Sequence, residues 1–394
     1  MDILLIGCGA VGTVILKHLD RSEAIGQVTV ADVNGALAHR IAASLQSSKV
    51  RSLRVDAGHA AALTEAMKGH DLVINASVPR FNAVIKGAAL RSGLHYLDLS
   101  AESRDPYVDS EAWQEHGLTA IIGMGEDPGL SNVLARYAAD RMDRVGSIRI
   151  RDGDTASSPE FSFIALFSPE TFVQETLAPS RVWRDGTYEM VPPLGGKETY
   201  PFPPPLGRLT VYSVDHEEVD SLPRYIGKGV RYVDFKLALD DATVGTLQGL
   251  QGTGPAAGTP GDGAARRKAF LASVPKPADL VGRVDGYAAL VVEVTGEERG
   301  ERKRHVLHTL LGHREASRRF HATGTAYLTG TPAAVAATLL ATGEIRQTGI
   351  LAPELLDPDP ILRILRERGI EIHERVERGE GAPEDGESSV VAST

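Results

Sequence analysis

The sequence has almost no cysteine, a deficit of basic residues and no long apolar run. Its single cysteine, Cys8, excludes a disulfide framework, a zinc site built from several thiolates and a two-thiol redox mechanism. The longest apolar runs reach only about half of a membrane span. Lysine and arginine number 42 against 52 acidic residues, and the net charge of −10 argues against a nucleic-acid partner. We therefore expect neither nucleic acid nor a membrane as a partner.

The N-terminal residues predict the cellular location. Residues 2–6 have the composition of a strand directly after Met1, and no basic leader or cleavage site precedes them. A single cysteine also fits a reducing compartment. We expect a cytoplasmic protein.

The pattern of apolar residues divides the 394 residues into more than one domain. Residues 1–127 alternate short apolar runs with helix-like stretches, which predicts βαβ units in a doubly wound parallel sheet, a Rossmann domain. From residue 128 to about 329, clustered strand-like segments predict an α+β domain with a mixed, largely antiparallel sheet. Within it, the Gly- and Pro-rich residues 249–264 predict a flexible loop. The acidic residues 379–394 predict a disordered tail. The predicted fold class is α/β.

A glycine-rich turn follows the first strand and predicts a dinucleotide site. Gly7, Gly9 and Gly12 form a G-x-G-x-x-G sequence that leads into a helix pattern. Gly7 permits the turn, Gly9 lets a pyrophosphate approach, and Gly12 lets the helix pack on the sheet. Asp32 ends the second strand, where its carboxylate can bind ribose hydroxyls and repel a 2′-phosphate. The sequence predicts NAD as cofactor, with NADP still open because Arg40 lies nearby.

Other candidate cofactor contacts lie at the start of the first helix and at the carboxyl ends of the following strands. Ligands bind at these strand ends in doubly wound sheets. An ordinary role in turns is the alternative for the strand-end residues. The full set is Ala10, Val11, Asn34, Asp56, Ala76, Ser77 and Val78.

Several segments together resemble the saccharopine dehydrogenase-like family, which includes lysine 6-dehydrogenase and carboxynorspermidine synthase. They are Asn75–Pro79, His95–Ser100, the Asp127-Pro128-Gly129 turn, and 322–333 with 349–354. The resemblance implies a Rossmann domain, a second domain with substrate contacts and the interface of a homodimer, and a return of residues 330–378 to the first domain. It also implies hydride transfer between a nicotinamide and an amine-bearing carbon of an amino acid, opine or diamine-derived substrate.

Acidic residues before a predicted helix over 128–142 are candidates for the chemistry. Asp127 either caps that helix, with Pro128 as its first residue, or binds the substrate amine and moves a proton. The helix dipole is expected to keep its carboxylate ionised. Glu126 can share the substrate contact. Tyr96 and Asp98 lie two apart on one strand face, so Tyr96 is a candidate substrate contact and Asp98 a candidate catalytic residue.

Lys236 and His216 are the candidates from the second domain. The resemblance places Lys236 at a family lysine, which implies a bond to a substrate carboxylate, although a strand lysine more often faces solvent. Ala238 stands where relatives carry an arginine, which implies a substrate with fewer carboxylates than saccharopine. His216 is a candidate substrate or acid–base group. No metal is expected.

Three functions remain open from the sequence. The first is an NAD(P)-dependent oxidoreductase acting on CH–NH groups. The second is a polyamine-synthase-like enzyme that forms a carbon–nitrogen bond with NAD recycled. The third is a non-catalytic NAD-binding regulator, because a Rossmann fold alone does not establish catalysis.

Overall fold

The computed structural model describes residues 1–100, 105–252 and 263–378. The predicted tail over 379–394 lies outside the described residues, as does most of the predicted loop over 249–264. The ends of that loop, 249–251 and 263–264, belong to helices.

The strands form two sheets. In chain order they are β1 Ile3–Ile6, β2 Val28–Asp32, β3 Val50–Arg54, β4 Leu72–Asn75, β5 His95–Asp98, β6 Thr119–Ile121, β7 Arg144–Asp152, β8 Thr155–Ser157, β9 Ser180–Arg184, β10 Thr187–Val191, β11 Glu198–Pro201, β12 Arg208–Ser213, β13 Tyr232–Ala238, β14 Asp285–Glu298, β15 Glu301–Gly312, β16 Gly349–Leu351 and β17 His373–Arg378.

The helices connect these strands or pack on the sheets. In chain order they are α1 Ala10–Arg21, α2 Gly35–Ser44, α3 Ala60–Met67, α4 Asn82–Ser92, α5 Ser110–Glu115, α6 Leu130–Asp140, α7 Pro169–Leu177, α8 Glu218–Ile226, α9 Asp241–Gln251, α10 Gly263–Ser273, α11 His313–Phe320, α12 Gly324–Ala341 and α13 Pro358–Glu367. Among the described residues, no helix has both the length and the apolarity that a membrane crossing requires.

The first sheet has the strand order β16-β6-β5-β4-β1-β2-β3, and its pairs are parallel. The order reverses between β1 and β4, so the crevice beyond their carboxyl ends is where such a sheet binds ligands. The strands β1 and β4 are fully buried, as expected for a parallel sheet covered on both faces. The predicted Rossmann domain is confirmed.

The second sheet is mixed, with the order β10-β9-β13-β7-β14-β15-β17, and β11 and β12 extend it beside β13. The β13–β7 pair is parallel, whereas β7–β14 and β14–β15 are antiparallel. Its inner face joins α6 and α12 in one apolar core with the first sheet. The predicted α/β fold class is therefore confirmed, including the mixed second sheet.

The last part of the chain contacts both sheets. The strand β16 pairs with β6 at the edge of the first sheet. The helix α12 packs on α1, and the space there is tight because a Cβ on Gly330 would lie 2.9 Å from Val14. The strand β17 instead pairs with β15 in the second sheet. The loop that precedes α6 connects β6 of the first sheet to a helix that packs on β14 of the second sheet, so it lies between the two sheets.

Candidate active site

The glycine-rich turn has the geometry that a dinucleotide pyrophosphate requires. Gly7 has a positive φ of 106°, and a Cβ there would lie 2.5 Å from the carbonyl oxygen of Ala76. A Cβ on Gly12 would lie 2.0 Å from the carbonyl oxygen of Gly7, whereas a Cβ on Gly9 would meet nothing within 4 Å. Gly9 therefore leaves open the space before α1, where Ala10 and Val11 carry N–H groups without intrahelical partners. These residues fit the cofactor.

The two glycines are expected to respond differently to alanine. Gly9→Ala should keep the melting temperature and weaken NAD(P)H binding by about tenfold or more, because its methyl group enters the space for the pyrophosphate. Gly12→Ala should cost about 1–3 kcal/mol of stability through its clash with Gly7. Thermal unfolding and cofactor titration of both variants test this. Unchanged binding in a folded Gly9→Ala protein would contradict the assignment.

The acid at the end of β2 lies where a ribose would bind. The Asp32 carboxylate accepts the N–H of Cys8 at 2.9 Å and the N–H of Asn34 at 2.8 Å, and the residue is partly exposed. Asn34 caps α2 by accepting the N–H of Leu37 at 3.1 Å. Asp56 closes a turn by accepting the N–H of Gly58 at 2.9 Å. Asn34 and Asp56 thus have local structural roles, and their cofactor contacts remain predictions.

The segment after β4 lies against the glycine-rich turn. Its conformation is fixed by Asn75, whose side-chain oxygen accepts the N–H of Ser77 at 3.1 Å and its hydroxyl at 2.6 Å. Ala76, Ser77 and Val78 are partly exposed. The close approach of Gly7 to Ala76 places this backbone beside the cofactor space, which supports its predicted contact.

The loop before α6 holds the predicted acid, but it is not built as the sequence suggested. The helix begins at Leu130 with Gly129 as its N-cap, so the expected start at Pro128 is wrong. Gly129 has a φ of 133°, and a Cβ there would lie 2.2 Å from the carbonyl oxygen of Gly125. The amide of Leu130 also bonds that carbonyl oxygen at 2.9 Å. Asp127 therefore belongs to this tight loop and not to the first turn of the helix.

Asp127 lies in a cluster of carboxyl groups contributed by both domains. Burial raises the pKa of Asp127 well above its usual range, and the nearby Asp152 and Glu126 raise it further. One of its carboxyl oxygens, Oδ2, is buried without a hydrogen-bond partner. The expectation that the helix dipole keeps Asp127 ionised is therefore not supported, because burial and like charges outweigh the dipole.

The neighbouring acids Glu126 and Asp152 are also buried. Glu126 is 4% exposed, and burial followed by the charges of Asp154 and Asp152 raises its pKa well above the usual range. Its carboxyl group makes no hydrogen bond or ion pair within the described part of the chain. Burial raises the pKa of Asp152 to about 6, although a hydrogen bond with the amide of Asp154 opposes the rise. Such a cluster favours a cationic ligand, which would restore the ionised state.

His216 adds one positive charge to the second-domain side of the cluster. Its ring stacks on Phe235 at 3.8 Å between centroids, and its Nδ1 lies 2.5 Å from a Glu218 oxygen. Burial opposes protonation, but Glu218 raises the pKa of His216 to about 10. Glu218 also accepts the Ser131 hydroxyl at 2.6 Å, which ties the pair to α6. His216, Glu217 and Glu218 offer ligand atoms within 4.8 Å of one another, but the ring and Glu218 already bind each other.

Tyr96 and Asp98 are buried at the end of β5. Asp98 accepts the N–H of Gly123 and the hydroxyl of Tyr96, each at 2.8 Å. Tyr96 is fully buried, and its oxygen also accepts from Asn75 at 3.3 Å. Both carboxyl oxygens of Asp98 therefore accept hydrogen bonds that stabilise the end of β5. These bonds give Tyr96 and Asp98 a structural role, and their substrate and catalytic roles remain predictions.

Lys236 lies on the opposite face of the second sheet from the carboxyl cluster. It is in register with Arg151, whereas its neighbour Leu237 is in register with Asp152, and successive side chains alternate between faces. Its ammonium group bonds Glu198 at 2.7 Å. The expectation that Lys236 and Asp127 bind the same substrate is therefore wrong, because the two side chains lie on different sides of the sheet. Periodicity separates the two faces of a strand but does not reveal which one faces the cleft.

Stability is expected to fall as pH rises from about 5 to 8. Burial raises the pKa of Asp98 and Glu354 to about 7 and that of Glu175 to about 8. Because the unfolded carboxyls ionise first, this stabilisation is complete below about pH 4 and is lost through the folded values. The contribution of protonated His216 is lost from about 6.5 to 10, with the same sign. Urea unfolding of the cofactor-free protein at several pH values tests this, and rising stability over that range would contradict it.

Several acids of the carboxyl cluster were missed by reasoning from the sequence. Asp152 is the last residue of β7 and Asp154 follows soon after it, and a position at a strand end is the signal that identified Asp56 in the first domain. Glu175 and Glu218 lie on helices, where acids are common on exposed faces, so no local signal distinguishes them.

Comparison with known proteins shows to which family this chain belongs. Residues 3–121 match the saccharopine dehydrogenase NADP binding domain, and residues 125–370 match the saccharopine dehydrogenase C-terminal domain. The chain belongs to the saccharopine dehydrogenase family. A carboxyaminopropylagmatine dehydrogenase from Synechocystis sp. is 26% identical over 95% of this chain and 97% of its own. A carboxynorspermidine synthase from Vibrio cholerae is 28% identical over 94% of this chain and 96% of its own.

A solved structure has the same fold. The saccharopine dehydrogenase (L-Glu forming) of Saccharomyces cerevisiae superposes with a TM-score of 0.72 at 18% identity, covering 95% of this chain and 99% of its own. The family and its dehydrogenases confirm an NAD(P)-dependent oxidoreductase acting on CH–NH donors. The recycled-NAD synthase and the non-catalytic regulator are not favoured.

Proposed function

We propose that this enzyme uses NAD(P)H to reduce the imine formed between a carboxylate-bearing aldehyde and one amino group of a diamine. The observation that carries the proposal is a pair of carboxyl groups beyond the carboxyl end of the first sheet. Glu126 is buried, and the Oδ2 atom of Asp127 is buried without a hydrogen-bond partner. Asp152 and Asp154 extend this pair into the second domain. Water does not solvate these groups well, so a cationic amine is the ligand that best completes the site.

Asp127 is the best placed proton carrier. Its raised pKa lets it hold a proton near neutral pH, and a hydrogen bond joins it to Asp152. NAD(P)H held at the glycine-rich turn would supply the hydride that the imine carbon needs. Asp127 donates its proton to the imine nitrogen, so the product is a secondary amine. The negative charge of Asp152, which disfavours an ionised Asp127, keeps the proton on Asp127 until the imine accepts it. In the oxidative direction Asp127 takes the proton back.

Glu175 is a further acid near the carboxyl cluster and is a candidate ligand for the second amino group of a diamine substrate. The residue is half-buried, and its carboxyl group makes no hydrogen bond or ion pair within the described chain. The charges of His216, Glu217 and Glu218 act on its pKa. The names of the Synechocystis and Vibrio relatives describe carboxylated derivatives of agmatine and norspermidine, each of which carries more than one cationic nitrogen group. Both observations favour a diamine over a monoamine. Alanine at position 238 fits a substrate with fewer carboxylates than saccharopine.

A substrate panel tests this proposal. Purified enzyme would receive NADH or NADPH, a carboxylate-bearing aldehyde and either a diamine or the monoamine of equal chain length. We expect loss of reduced cofactor that requires both aldehyde and amine and is faster with the diamine. Oxidation of reduced cofactor with the aldehyde alone, or none with any amine, would contradict the proposal.

A cytoplasmic homodimer is proposed as the working form. The edge strand β10 leaves Tyr188 and Met190 44% and 61% exposed on one face, which supports a subunit contact there. Light scattering coupled to size exclusion tests the oligomeric state. A monomer at micromolar concentration would rule out the dimer, and Met190→Glu should dissociate it if β10 forms the contact.

A further inference from the structure

Arg54 lies beside the acid that selects the cofactor ribose. In the parallel β2–β3 pair, Asp32 is in register with Arg54, so the two residues are neighbours at the carboxyl edge of the sheet. The Arg54 stem packs over the turn that follows β2, because a Cβ on Gly35 would lie 2.9 Å from the Arg54 Cβ and 3.3 Å from its Cγ. Its Nε donates to the carbonyl oxygen of Val33 at 3.2 Å. The guanidinium is thus held over the turn between Asp32 and α2.

Most of the Arg54 donors remain available. The side chain is exposed and pairs with no carboxylate in the described part of the chain. The helix α2 begins at the same place, and its first N–H groups, those of Gly35 and Ala36, have no intrahelical partner. A guanidinium and a helix N-terminus that meet at one point are a favourable environment for a phosphate group.

Arg40, the cation suggested by the sequence, is not held in this way. It lies on α2 and is exposed, and its guanidinium makes no hydrogen bond or ion pair within the described residues. A free arginine must lose side-chain freedom when it binds a ligand, whereas Arg54 is already oriented by Val33 and Gly35. This difference makes Arg54 the better candidate for a role in cofactor selection.

We propose that Arg54 binds the 2′-phosphate of NADP(H) and so determines, in opposition to Asp32, how well this enzyme uses the phosphorylated cofactor. Asp32 accepts ribose hydroxyls and repels a 2′-phosphate. Arg54 supplies a forked donor on the outer side of the same ribose, with the start of α2 beneath it. NADH therefore depends on Asp32, NADPH depends on Arg54, and both cofactors can be bound.

The test compares Arg54→Met with Arg40→Met by fluorescence titration of NADPH and NADH, without any turnover. The adenine-half fragments 2′,5′-ADP and 5′-AMP, titrated by calorimetry, isolate the phosphate from the nicotinamide. For Arg54→Met we expect a roughly ten- to one-hundred-fold rise in the Kd of NADPH and 2′,5′-ADP, the range for a lost charged hydrogen bond. The Kd of NADH and 5′-AMP should stay within about twofold, as should all Kd values for Arg40→Met.

The other outcomes overturn the proposal in distinct ways. Equal weakening of NADPH and NADH by Arg54→Met would show that the side chain serves the adenine common to both. A selective loss of NADPH in Arg40→Met, with Arg54→Met unchanged, would move the phosphate contact to α2. Unchanged melting temperatures in both variants would show that the comparison is between folded proteins.

Discussion

Asp127→Asn is expected to lower kcat/KM by roughly 2 kcal/mol or more, because the amide neither carries the transferred proton nor pairs with a cationic amine. The Kd of the reduced cofactor should stay nearly unchanged, since Asp127 faces the carboxyl cluster and not the glycine-rich turn. Steady-state kinetics and cofactor titration measure the two effects separately.

Asp109→Asn is the matched control for this variant. Asp109 is exposed, precedes α5 and makes no side-chain cap bond, so its replacement should change neither kinetics nor stability by more than about 0.5 kcal/mol. Normal turnover in Asp127→Asn would remove Asp127 from the chemistry. A fall in melting temperature with full activity would show that the aspartate serves only the loop.

Asp234→Ala is expected to cost about 3–5 kcal/mol of folding stability, because it leaves the charge of Arg151 buried without its main partner. Arg151 and Asp234 are 1% and 0% exposed at the side chain, and they form a two-pronged ion pair with both N–O distances at 2.9 Å. Arg151 lowers the pKa of Asp234 despite its burial. Urea unfolding measures the loss.

The surface offers a matched pair for comparison. Asp285 and Arg314 also form a two-pronged ion pair, through Nε and Nη2 at 2.7 and 3.0 Å, with side chains 58% and 47% exposed. Asp285→Ala should therefore cost only about 0–1 kcal/mol. Equal losses in Asp234→Ala and Asp285→Ala would mean that burial does not strengthen the inner pair. Arg151 is the neighbour of Asp152, so the buried pair also fixes the strand that carries the site.

The first domain could be predicted from the sequence because its signals are local. The turn of Gly7, Gly9 and Gly12, the acid at position 32 and the alternation of strands and helices each depend on residues close together in the chain. Because the rules for connecting parallel strands allow few topologies, these signals are enough to predict a parallel sheet of buried apolar strands. The close approach of Gly12 to the carbonyl group of Gly7 is also local, because both residues belong to the same glycine-rich turn.

The carboxyl cluster could not be predicted in full because it depends on contacts between distant segments. Asp127 was identified from its neighbours in sequence, but its protonation depends on Asp152 and Glu218, which other elements bring close to it. Lys236 was correctly predicted to lie on a strand. Its face was misjudged, because which face of a sheet meets the cleft is decided by the packing of α6 and α12.

The most direct test of the function uses a nicotinamide cofactor deuterated at the transferred position, with a diamine and a carboxylate-bearing aldehyde. Mass spectrometry of the product should show a secondary amine with a single deuterium on the carbon bonded to the new nitrogen, and product should equal the reduced cofactor consumed. A secondary amine without deuterium, or formed without net consumption of cofactor, would contradict hydride reduction of an imine as the function of this enzyme.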